Sequence, residues 1–455
     1  MCLERRQSLQ KGVPRLRLEG DCYIRIWGEY FMQELLLVES NPVLCDIICQ
    51  RIAESPHRRI TFAEYMDLAL YHRQQGYYAT NQVNIGVRGD FFTSPHLGAD
   101  FGELLAEQFV EMWEVLGRPA PFQLVEMGAG QGLLAADVLR YLHRHYFDFF
   151  NVLEYIIVER APALIAEQRQ ILARLSSAGG NIRWCAWEEI PADSVTGCLF
   201  SNELVDALPV HQIAIEDGQL REVYVTVAAG NSCSPDEEPG TPTASSHAGR
   251  GGERECLFAE VMGEVSTPAI AEYFKLVGIE FAGAAYEDGY RTEVNLAALE
   301  WLGAVASRLR RGYVLTVDYG YSAERYYSPR RRGGTLQCYY RHSHHNDPYI
   351  CVGRQDITAH VDFTALQRHG ELCGLEPVGF TKQELFLMAL GLGERIAAVT
   401  AAQPQNLGEL LRRRDALHQL VNPMGLGGFG VLLQCKGLSQ DERGRALKGL
   451  CVPVM

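Results

Sequence analysis

Some common features are missing from this 455-residue sequence. It has no C-x-x-C pair, although it contains 13 cysteines, and the nearest two, Cys45 and Cys49, are separated by three residues. It also has no uninterrupted run of about 18 apolar residues, the length that a membrane-spanning helix needs. The opening segment lacks the apolar core of a secretory signal. These absences argue against a zinc-binding cysteine site and a membrane span, and they predict reduced thiols in a cytosol-like compartment.

Positive charge is in the minority. The chain has 42 Lys and Arg residues against 56 Asp and Glu residues, which gives a net charge of -14. This balance argues against general binding to nucleic acid or to an anionic membrane, so we expect a small molecule or a protein as the ligand. The arginine runs at 330–332 and 412–414 are interpreted as solvated faces, with a basic dock for an acidic partner as the alternative.

Short apolar runs alternate with helical patterns through most of the chain. Residues 97–116 carry an apolar stripe at helical spacing, and FQLVE and LEYIIVE, each followed by an amphipathic segment, have the βαβ pattern of a parallel sheet. The segments GCLFSN and YVLTVDYGY predict further buried strands, and VHQIAIEDGQLREVYVTV predicts a hairpin. The boundaries that we predict are a poorly defined extension (1–59), a helical segment packed on the core (60–120), a cofactor-binding α/β half (121–227), a disordered insertion (228–256), a second half with substrate-side insertions (257–437) and a tail (438–455).

The segment LVEMGAGQG places glycine at every second position after a predicted strand. Gly128, Gly130 and Gly132 give G-x-G-x-G, whereas the dinucleotide fingerprint is G-x-G-x-x-G. Glu126 would repel a pyrophosphate, but it would favour the sulfonium and ammonium groups of S-adenosylmethionine. Glu159 ends the next strand, where a carboxylate can accept hydrogen bonds from both ribose hydroxyls. The alternatives are a tight turn in an inert α/β protein and, for Glu159, an ordinary surface acid.

Longer motifs connect the chain to a known family. ITFAEYMDLALYHRQQGYYAT, GDFFTSPHLGADFGELLAEQ, LVEMGAGQG, SNELVDALPVHQ, VDYGY and GRQDITAHVDF, in this order, resemble the MidA family of class I methyltransferases. Its mitochondrial members are arginine methyltransferases required for respiratory complex I assembly. The resemblance covers about residues 60–437. It implies a doubly wound seven-stranded α/β sheet, S-adenosylmethionine as cofactor, a protein substrate and no metal, in the cytoplasm or, in a eukaryote, the mitochondrial matrix.

The family motifs also assign residues. The resemblance implies cofactor binding by Glu126, Gly128, Gly130, Gly132, Glu159, Asp90, Thr93 and Ser94. It implies catalytic roles for Asn202, Glu203 and Asp206. The sequence departs from the family at Leu204 and Val205, where aromatic residues are usual, and at His96, where most members have glutamate. The departure at His96 leaves the predicted role of its loop in target specificity open.

The acids after the predicted strand GCLFSN, the fourth strand of the family motif, suit an arginine substrate. A pair of carboxylates can hold a guanidinium by bidentate hydrogen bonds and can accept the departing proton, so Glu203 and Asp206 are the predicted pair. Capping of a nearby turn is the alternative for both. Asp318, Tyr319 and Gly320 end another strand and are predicted either to line the same crevice or simply to form a turn.

Other functions remain open at the level of sequence. A methyltransferase with another substrate, a cofactor-binding assembly factor without catalysis and, more distantly, a nicotinamide dehydrogenase are the competing hypotheses. The sequence lacks the Asn-Pro-Pro-aromatic motif of amino-adenine methyltransferases at its fourth strand, and its acidity disfavours nucleic acid. His342, His344 and His345 lie near Asp347 in a polar loop, which we interpret as a target-binding loop in preference to a zinc site.

Overall fold

The computed structural model describes residues 40–80, 93–228, 257–281, 285–341, 343–401 and 407–451. Most of the predicted N-terminal extension, Asp90, His342 and, apart from residue 228, the predicted insertion at 228–256 lie outside these ranges. Within the described residues, no helix is both long enough and apolar enough to cross a membrane.

The described residues form seventeen strands and fourteen α-helices. The strands are β1 (Ile60–Thr61), β2 (Phe122–Met127), β3 (Leu153–Val158), β4 (Asn181–Cys185), β5 (Val195–Asn202), β6 (His211–Glu216), β7 (Gln219–Val227), β8 (Phe258–Gly263), β9 (Arg291–Val294), β10 (Leu309–Asp318), β11 (Gly320–Tyr321), β12 (Gln337–Tyr340), β13 (Ser343–His345), β14 (Asp356–Thr358), β15 (Val361–Asp362), β16 (Glu376–Lys382) and β17 (Gly430–Lys436). The helices are α1 (Pro42–Glu54), α2 (Phe62–Tyr71), α3 (Asp100–Val115), α4 (Leu133–His145), α5 (Phe147–Val152), α6 (Pro162–Ser177), α7 (Ala269–Val277), α8 (Leu296–Arg308), α9 (Ala323–Tyr326), α10 (Phe363–Leu372), α11 (Gln383–Leu390), α12 (Leu392–Ala401), α13 (Leu407–Leu420) and α14 (Gln440–Arg443).

A seven-stranded sheet organises the chain, in the order β16-β17-β10-β5-β2-β3-β4. β2, β3, β4, β5 and β10 run parallel, and β17 is antiparallel to both of its neighbours. Helices cover both faces, which is why the central strands are nearly continuous apolar runs. The predicted α/β doubly wound, seven-stranded sheet is therefore confirmed. The strands predicted at FQLVE, LEYIIVE and GCLFSN are β2, β3 and β5, and the helix predicted within residues 97–116 is α3.

A second, antiparallel sheet takes four of its five strands from the segment between β5 and α8, and the fifth is β1. It has the order β1-β7-β6-β9, with β8 paired to β7, and the predicted hairpin is β6-β7. Val227 pairs with Phe258, so the undescribed insertion connects two neighbouring antiparallel strands. The chain leaves the main sheet at the carboxyl end of β5 and continues into the second sheet. The second sheet therefore follows directly from the edge where α/β proteins bind their ligands.

Helices α1 and α2 pack on the second sheet. α1 falls within residues 1–59, for which no helix was predicted, and it buries Leu44, Cys45, Ile48, Cys49 and Ile52. These positions recur at the three- and four-residue spacing of one helix face. The four-residue spacing of Cys45 and Cys49 is therefore part of a helix pattern. This pattern is overlooked when the two residues are considered only as cysteines.

Candidate active site

The sheet register brings the predicted site residues to one edge. Met127 at the end of β2 pairs with Val158 of β3 and with Ser201 of β5. In a parallel sheet the residues that follow paired positions leave from the same edge. The glycine loop, Glu159 and the acids after β5 therefore start from neighbouring positions at the carboxyl ends of three strands.

The glycine loop needs glycine for its backbone shape. Gly128, Gly130 and Gly132 have φ values of 75°, 52° and 83°, in the left-handed region that side chains disfavour. A Cβ on Gly128 would also lie 2.9 Å from Cδ1 of Leu204. Gly132 is the N-cap of α4, so the loop delivers backbone N–H groups at a helix N-terminus. Bare backbone with exposed N–H groups is what a bound adenosyl or methionine group requires, so the loop suits the predicted cofactor.

Gln168 of α6 fixes the glycine loop, a role that was not predicted from the sequence. Its Nε2 donates to the carbonyl of Gly130 at 2.7 Å, and its Oε1 accepts from Nε1 of Trp184 at 2.8 Å. The side chain is fully buried. A signal was present, because Gln168 occupies the same buried stripe as Leu172 and Leu175. A glutamine in an apolar stripe requires hydrogen-bond partners, and here one of them is the glycine loop.

The two acids predicted to hold the cofactor have different surroundings. Glu126 is buried in β2 and accepts a hydrogen bond from the hydroxyl of Tyr155 at 2.7 Å. Burial raises the pKa of Glu126 to about 7. Glu159 accepts from the backbone N–H groups of Arg160 and Ala161 at 2.8 and 2.9 Å through one carboxylate oxygen. Glu159 thus caps its own loop, while its position after β3 still matches that of an acid that binds ribose hydroxyls.

The described part of the GDFFTSPH loop contacts both halves of the site. The backbone N–H of Ser94 donates to Oε1 of Glu203 at 3.3 Å. Oγ1 of Thr93 lies 2.5 Å from Nδ1 of His96, and Nε2 of His96 lies 3.2 Å from Oε1 of Gln131 in the glycine loop. His96, which replaces the family glutamate, therefore bridges this loop to the glycine loop. Asp90 lies outside the described residues.

Three carboxyl groups converge after β5 and β10. Val317 pairs with Asn202, so Asp318 and Glu203 follow matched positions of neighbouring strands. Oδ2 of Asp318 accepts from the backbone N–H groups of Val205 and Asp206 at 2.9 and 3.3 Å. Asp318 is fully buried and Asp206 is 5% exposed. Asp318, one of the three residues whose role the sequence left undecided, thus orders the turn that carries Asp206.

Glu203 adopts a strained backbone. Its φ of 52° is in the left-handed region, which is uncommon for a residue with a side chain. Its backbone N–H donates to the carbonyl of Val317 at 2.9 Å, and its Oε1 accepts from Nδ2 of Asn202 at 3.0 Å. Strain of this kind persists where the surrounding structure imposes it, most often at functional sites.

The electrostatics of the cluster favour a cation. Burial, with the nearby charge of Asp206, raises the pKa of Glu203 to about 8, and burial raises the pKa of Asp206 to about 6. Burial and the charges of Asp206 and Glu203 hold the pKa of Asp318 well above its usual range. Among the described residues, Oδ1 of Asp206 and Oδ1 of Asn202 are buried acceptors with no hydrogen-bond donor. Unpaired acceptors beside mutually repelling carboxyl groups match a positively charged group with several N–H donors.

Aromatic side chains surround the cluster. The hydroxyl of Tyr319 donates to Oδ2 of Asp206 at 2.5 Å. The rings of Tyr71 and Tyr78 stack with centroids 5.3 Å apart, and their hydroxyls donate to the carbonyl of Ala207 and to Oδ1 of Asp356. Burial and nearby acids, including Asp206, raise the pKa of both Tyr71 and Tyr78 well above the usual value. Tyr71, Tyr78 and Asp356 lie within the family motifs, but no role was predicted for these residues.

The histidine loop forms a hairpin. β12 and β13 pair His344 with Tyr339 and His345 with Cys338. Within the ranges that the structure describes, no three His, Cys, Asp or Glu side chains are placed to hold a metal ion.

The strand order, the glycine loop and the acids at the carboxyl ends of β3 and β5 define a methyltransferase of the S-adenosylmethionine-dependent class. Residues 104–381 match the model of the family described by that cofactor and activity. The chain belongs to this family of S-adenosyl-L-methionine-dependent methyltransferases, with S-adenosylmethionine as its cofactor, and the predicted MidA resemblance is confirmed.

Individual relatives agree with this assignment. The chain is 30% identical over 390 residues to the "protein arginine methyltransferase NDUFAF7 homolog, mitochondrial" of Drosophila melanogaster, covering 81% of this chain and 79% of that one. It is 27% identical over 432 residues to the human "protein arginine methyltransferase NDUFAF7, mitochondrial", covering 88% and 86%. A Burkholderia thailandensis protein solved with bound S-adenosyl-homocysteine superposes with a TM-score of 0.74 at 27% identity, covering 90% of this chain and 94% of that one.

Proposed function

We propose that the chain methylates an arginine side chain of a protein, and that Asn202, Glu203 and Asp206 form the catalytic group. The observation that carries this proposal is the buried carboxyl cluster with its unpaired acceptors, Oδ1 of Asp206 and Oδ1 of Asn202. A guanidinium offers five N–H donors and one positive charge in a planar fork. The names of the Drosophila and human relatives, protein arginine methyltransferases, support the same substrate class.

The cluster holds the guanidinium in two ways. The carboxylates of Glu203 and Asp206 provide charge-assisted hydrogen bonds, which are stronger than bonds between neutral groups. Tyr319 bonds directly to Asp206, Tyr71 bonds to the carbonyl of the next residue, Ala207, and Tyr78 stacks on Tyr71, so these aromatic rings are proposed to border the same cation. A guanidinium beside these acids lowers their pKa values from the raised levels and so keeps them ionised in the complex.

Proton removal falls to Asp206. S-adenosylmethionine supplies the methyl group from its sulfonium. For each methyl group gained, one guanidinium nitrogen loses one N–H proton, and Oδ1 of Asp206 is a buried carboxylate oxygen that has no donor among the described residues. Tyr319 holds the other oxygen at 2.5 Å, which fixes the direction in which Oδ1 points. Burial excludes water that would compete for the same proton.

Cofactor binding is assigned to the neighbouring loops. Gly128, Gly130 and Gly132 present bare backbone, and Glu126 and Glu159 are the acids at the ends of β2 and β3. Thr93 and Ser94 line the junction between this region and the carboxyl cluster, because Ser94 bonds to Glu203 while Thr93 contacts His96. Asp90 is proposed in the same loop on the family motif alone.

The biological target is also a proposal. The family resemblance implies a subunit of a respiratory-type complex as the protein substrate. The relatives are named as mitochondrial proteins. We therefore propose action in the mitochondrial matrix if the chain is eukaryotic, and in the cytoplasm otherwise.

Transfer of isotopically labelled methyl groups tests the function. Full-length wild type and Asp206→Asn are incubated with labelled S-adenosylmethionine and a lysate that lacks the endogenous enzyme, and mass spectrometry locates the label. The expected result is label on arginine of one protein, lost with Asp206→Asn. Label in RNA or small molecules would refute the proposed substrate. Cofactor binding without any label would favour an assembly factor that does not catalyse.

A further inference from the structure

A polar cavity of about 320 Å³ lies beside the carboxyl cluster. Its lining includes Tyr321, Arg331, Thr335, Gln337, Asn346 and His360. None of the proposed catalytic or cofactor-binding residues belongs to this lining. The cavity is therefore separate from the site described above, although it is built from segments that follow β10 at the same end of the main sheet.

The cavity has an excess of positive charge. The guanidinium carbons of Arg325 and Arg331 lie 4.4 and 4.5 Å from the ring centroid of Tyr321. Among the described residues, neither guanidinium makes an ion pair, and Nε of Arg331 is buried without a hydrogen-bond partner. Two like charges this close, with a buried donor unpaired, favour the binding of an anion.

Glu293, an acid close to this cavity, accepts hydrogen bonds from donors other than the two arginines. Oε2 of Glu293, beside the lining residue Gly334, accepts from the backbone and hydroxyl of Thr335 and from the hydroxyl of Tyr326. Burial raises the pKa of Glu293, and the hydrogen bonds from Thr335 and Tyr326 act in the opposite direction.

His360 adds a further unpaired polar atom. Its Nδ1 is buried without a partner among the described residues, and it can donate or accept according to the tautomer. Burial, followed by the charge of Arg331, lowers the pKa of His360 to about 4, and Arg325 and Lys382 act in the same direction. The cavity thus combines two unpaired nitrogen atoms with the positive charge of Arg331, and Arg325 lies against the lining residue Tyr321.

The cavity is connected to the carboxyl cluster by direct ring contacts. His360 packs edge-on against Tyr319 with centroids 5.0 Å apart and stacks on Tyr321 at 4.9 Å. With the 4.5 Å step to Arg331, these contacts limit the separation of Tyr319 and Arg331 to roughly 14 Å, which about four residues of extended chain can span. One bound segment can therefore reach both places.

We propose that this cavity binds an acidic side chain of the substrate protein that lies within about four residues of the methylated arginine. The proposal rests on the proposed function, because it presumes that arginine enters the carboxyl cluster. A carboxylate would pair with Arg331, with Arg325 beside it, and could accept from His360. The carboxyl cluster then binds the arginine while the basic cavity binds the acid. This pairing selects arginines that have an acid at the right distance, and it disfavours segments in which the two charges exchange places.

Peptide binding to the full-length chain tests the inference. The probes are synthetic peptides with one arginine and one glutamate spaced two to five residues apart in either direction, and a matched set with glutamine in place of glutamate. Affinities are measured with S-adenosylhomocysteine present. For at least one spacing, the glutamate peptide should bind wild type about tenfold more tightly than its glutamine partner, and Arg331→Gln should abolish the difference.

The controls separate this inference from the proposed function. Arg330→Gln removes the same charge from the exposed neighbouring residue and should preserve the tenfold preference. Equal binding of the glutamate and glutamine peptides to wild type at every spacing would overturn the cavity assignment. Replacing the peptide arginine by lysine without loss of affinity would instead count against the proposed function, while the glutamate preference continues to report on the cavity.

Discussion

Replacing Asp206 by asparagine should separate catalysis from stability. The substitution keeps the size of the side chain and still leaves an oxygen for the hydroxyl of Tyr319, but the position of Oδ1 then carries N–H donors that face the guanidinium. Loss of a charge-assisted hydrogen bond costs about 1.5–3 kcal/mol, or roughly 10- to 150-fold. Loss of a proton acceptor typically costs about 10²–10⁴-fold. These effects overlap, so we expect kcat/KM to fall by at least about 10²-fold.

The same substitution should stabilise the protein without ligand above neutral pH. Burial raises the pKa of Asp206 to about 6, so proton binding by this group supports the folded state at acidic pH and that support is lost as the pH rises through 6. At pH 8 the wild type bears a buried charge that asparagine lacks. The gain is on the order of 1–3 kcal/mol, equivalent to a few degrees in Tm. It should shrink towards pH 5.

Methyl transfer, calorimetric cofactor binding and thermal unfolding at pH 5 and 8 measure these effects together. Asp137→Asn is a matched control, because Asp137 is 8% exposed and has a pKa raised by burial to about 6, but it pairs with Arg140 on α4. We expect this control to retain transfer within about twofold. Unchanged turnover in Asp206→Asn would remove Asp206 from the mechanism, and lower stability at pH 8 would refute the electrostatic reasoning.

Gly128→Ala should weaken cofactor binding at least tenfold by calorimetry, because the added Cβ meets Leu204. The control is Gly117→Ala, where φ is 79° and the space around Cβ is open. This control should lose stability but keep its affinity for the cofactor. If both variants bind alike, the loop is not the cradle. Glu159→Gln should raise the cofactor Kd about tenfold if the carboxylate holds the ribose, and an unchanged Kd would leave it as a loop cap. The kcat/KM of the wild type should rise between about pH 6 and 8, because Glu203, whose pKa is about 8, ionises and can then hold the substrate cation. A flat pH profile would contradict that role.

Local sequence patterns predicted the main sheet and the positions of its loops. Apolar runs and amphipathic spacing are visible within a short stretch of sequence. The strands β2, β3 and β5 and the helices that follow them could therefore be identified without tertiary information. The glycines also carry their own signal, because left-handed backbone at Gly128, Gly130 and Gly132 is a property of the residue type. The helix α1 had a readable pattern that was missed.

The parts that the sequence did not predict depend on contacts between distant segments. Ser94 meets Glu203 across 109 residues, Tyr78 meets Asp356 across 278, and Tyr319 meets Asp206 across 113. No periodicity encodes such pairs, since each is decided by how the second sheet and the segments after β10 fold onto the strand ends. For the same reason, the role of Asp318 in ordering the turn of Asp206 could not be separated from an ordinary turn.

The carboxyl cluster is costly for the folded chain. It places three acids of like charge in a buried region and holds Glu203 in a left-handed conformation, and each feature destabilises the folded state. Neighbouring N–H and O–H groups satisfy part of the cluster, but Oδ1 of Asp206 remains without a donor within the described residues. An arrangement needed only for folding would be improved by an amide at that position. The unpaired acceptor therefore favours a role in binding a cation that the chain itself does not supply, and the basic cavity at Arg331 shows the same imbalance with the opposite sign.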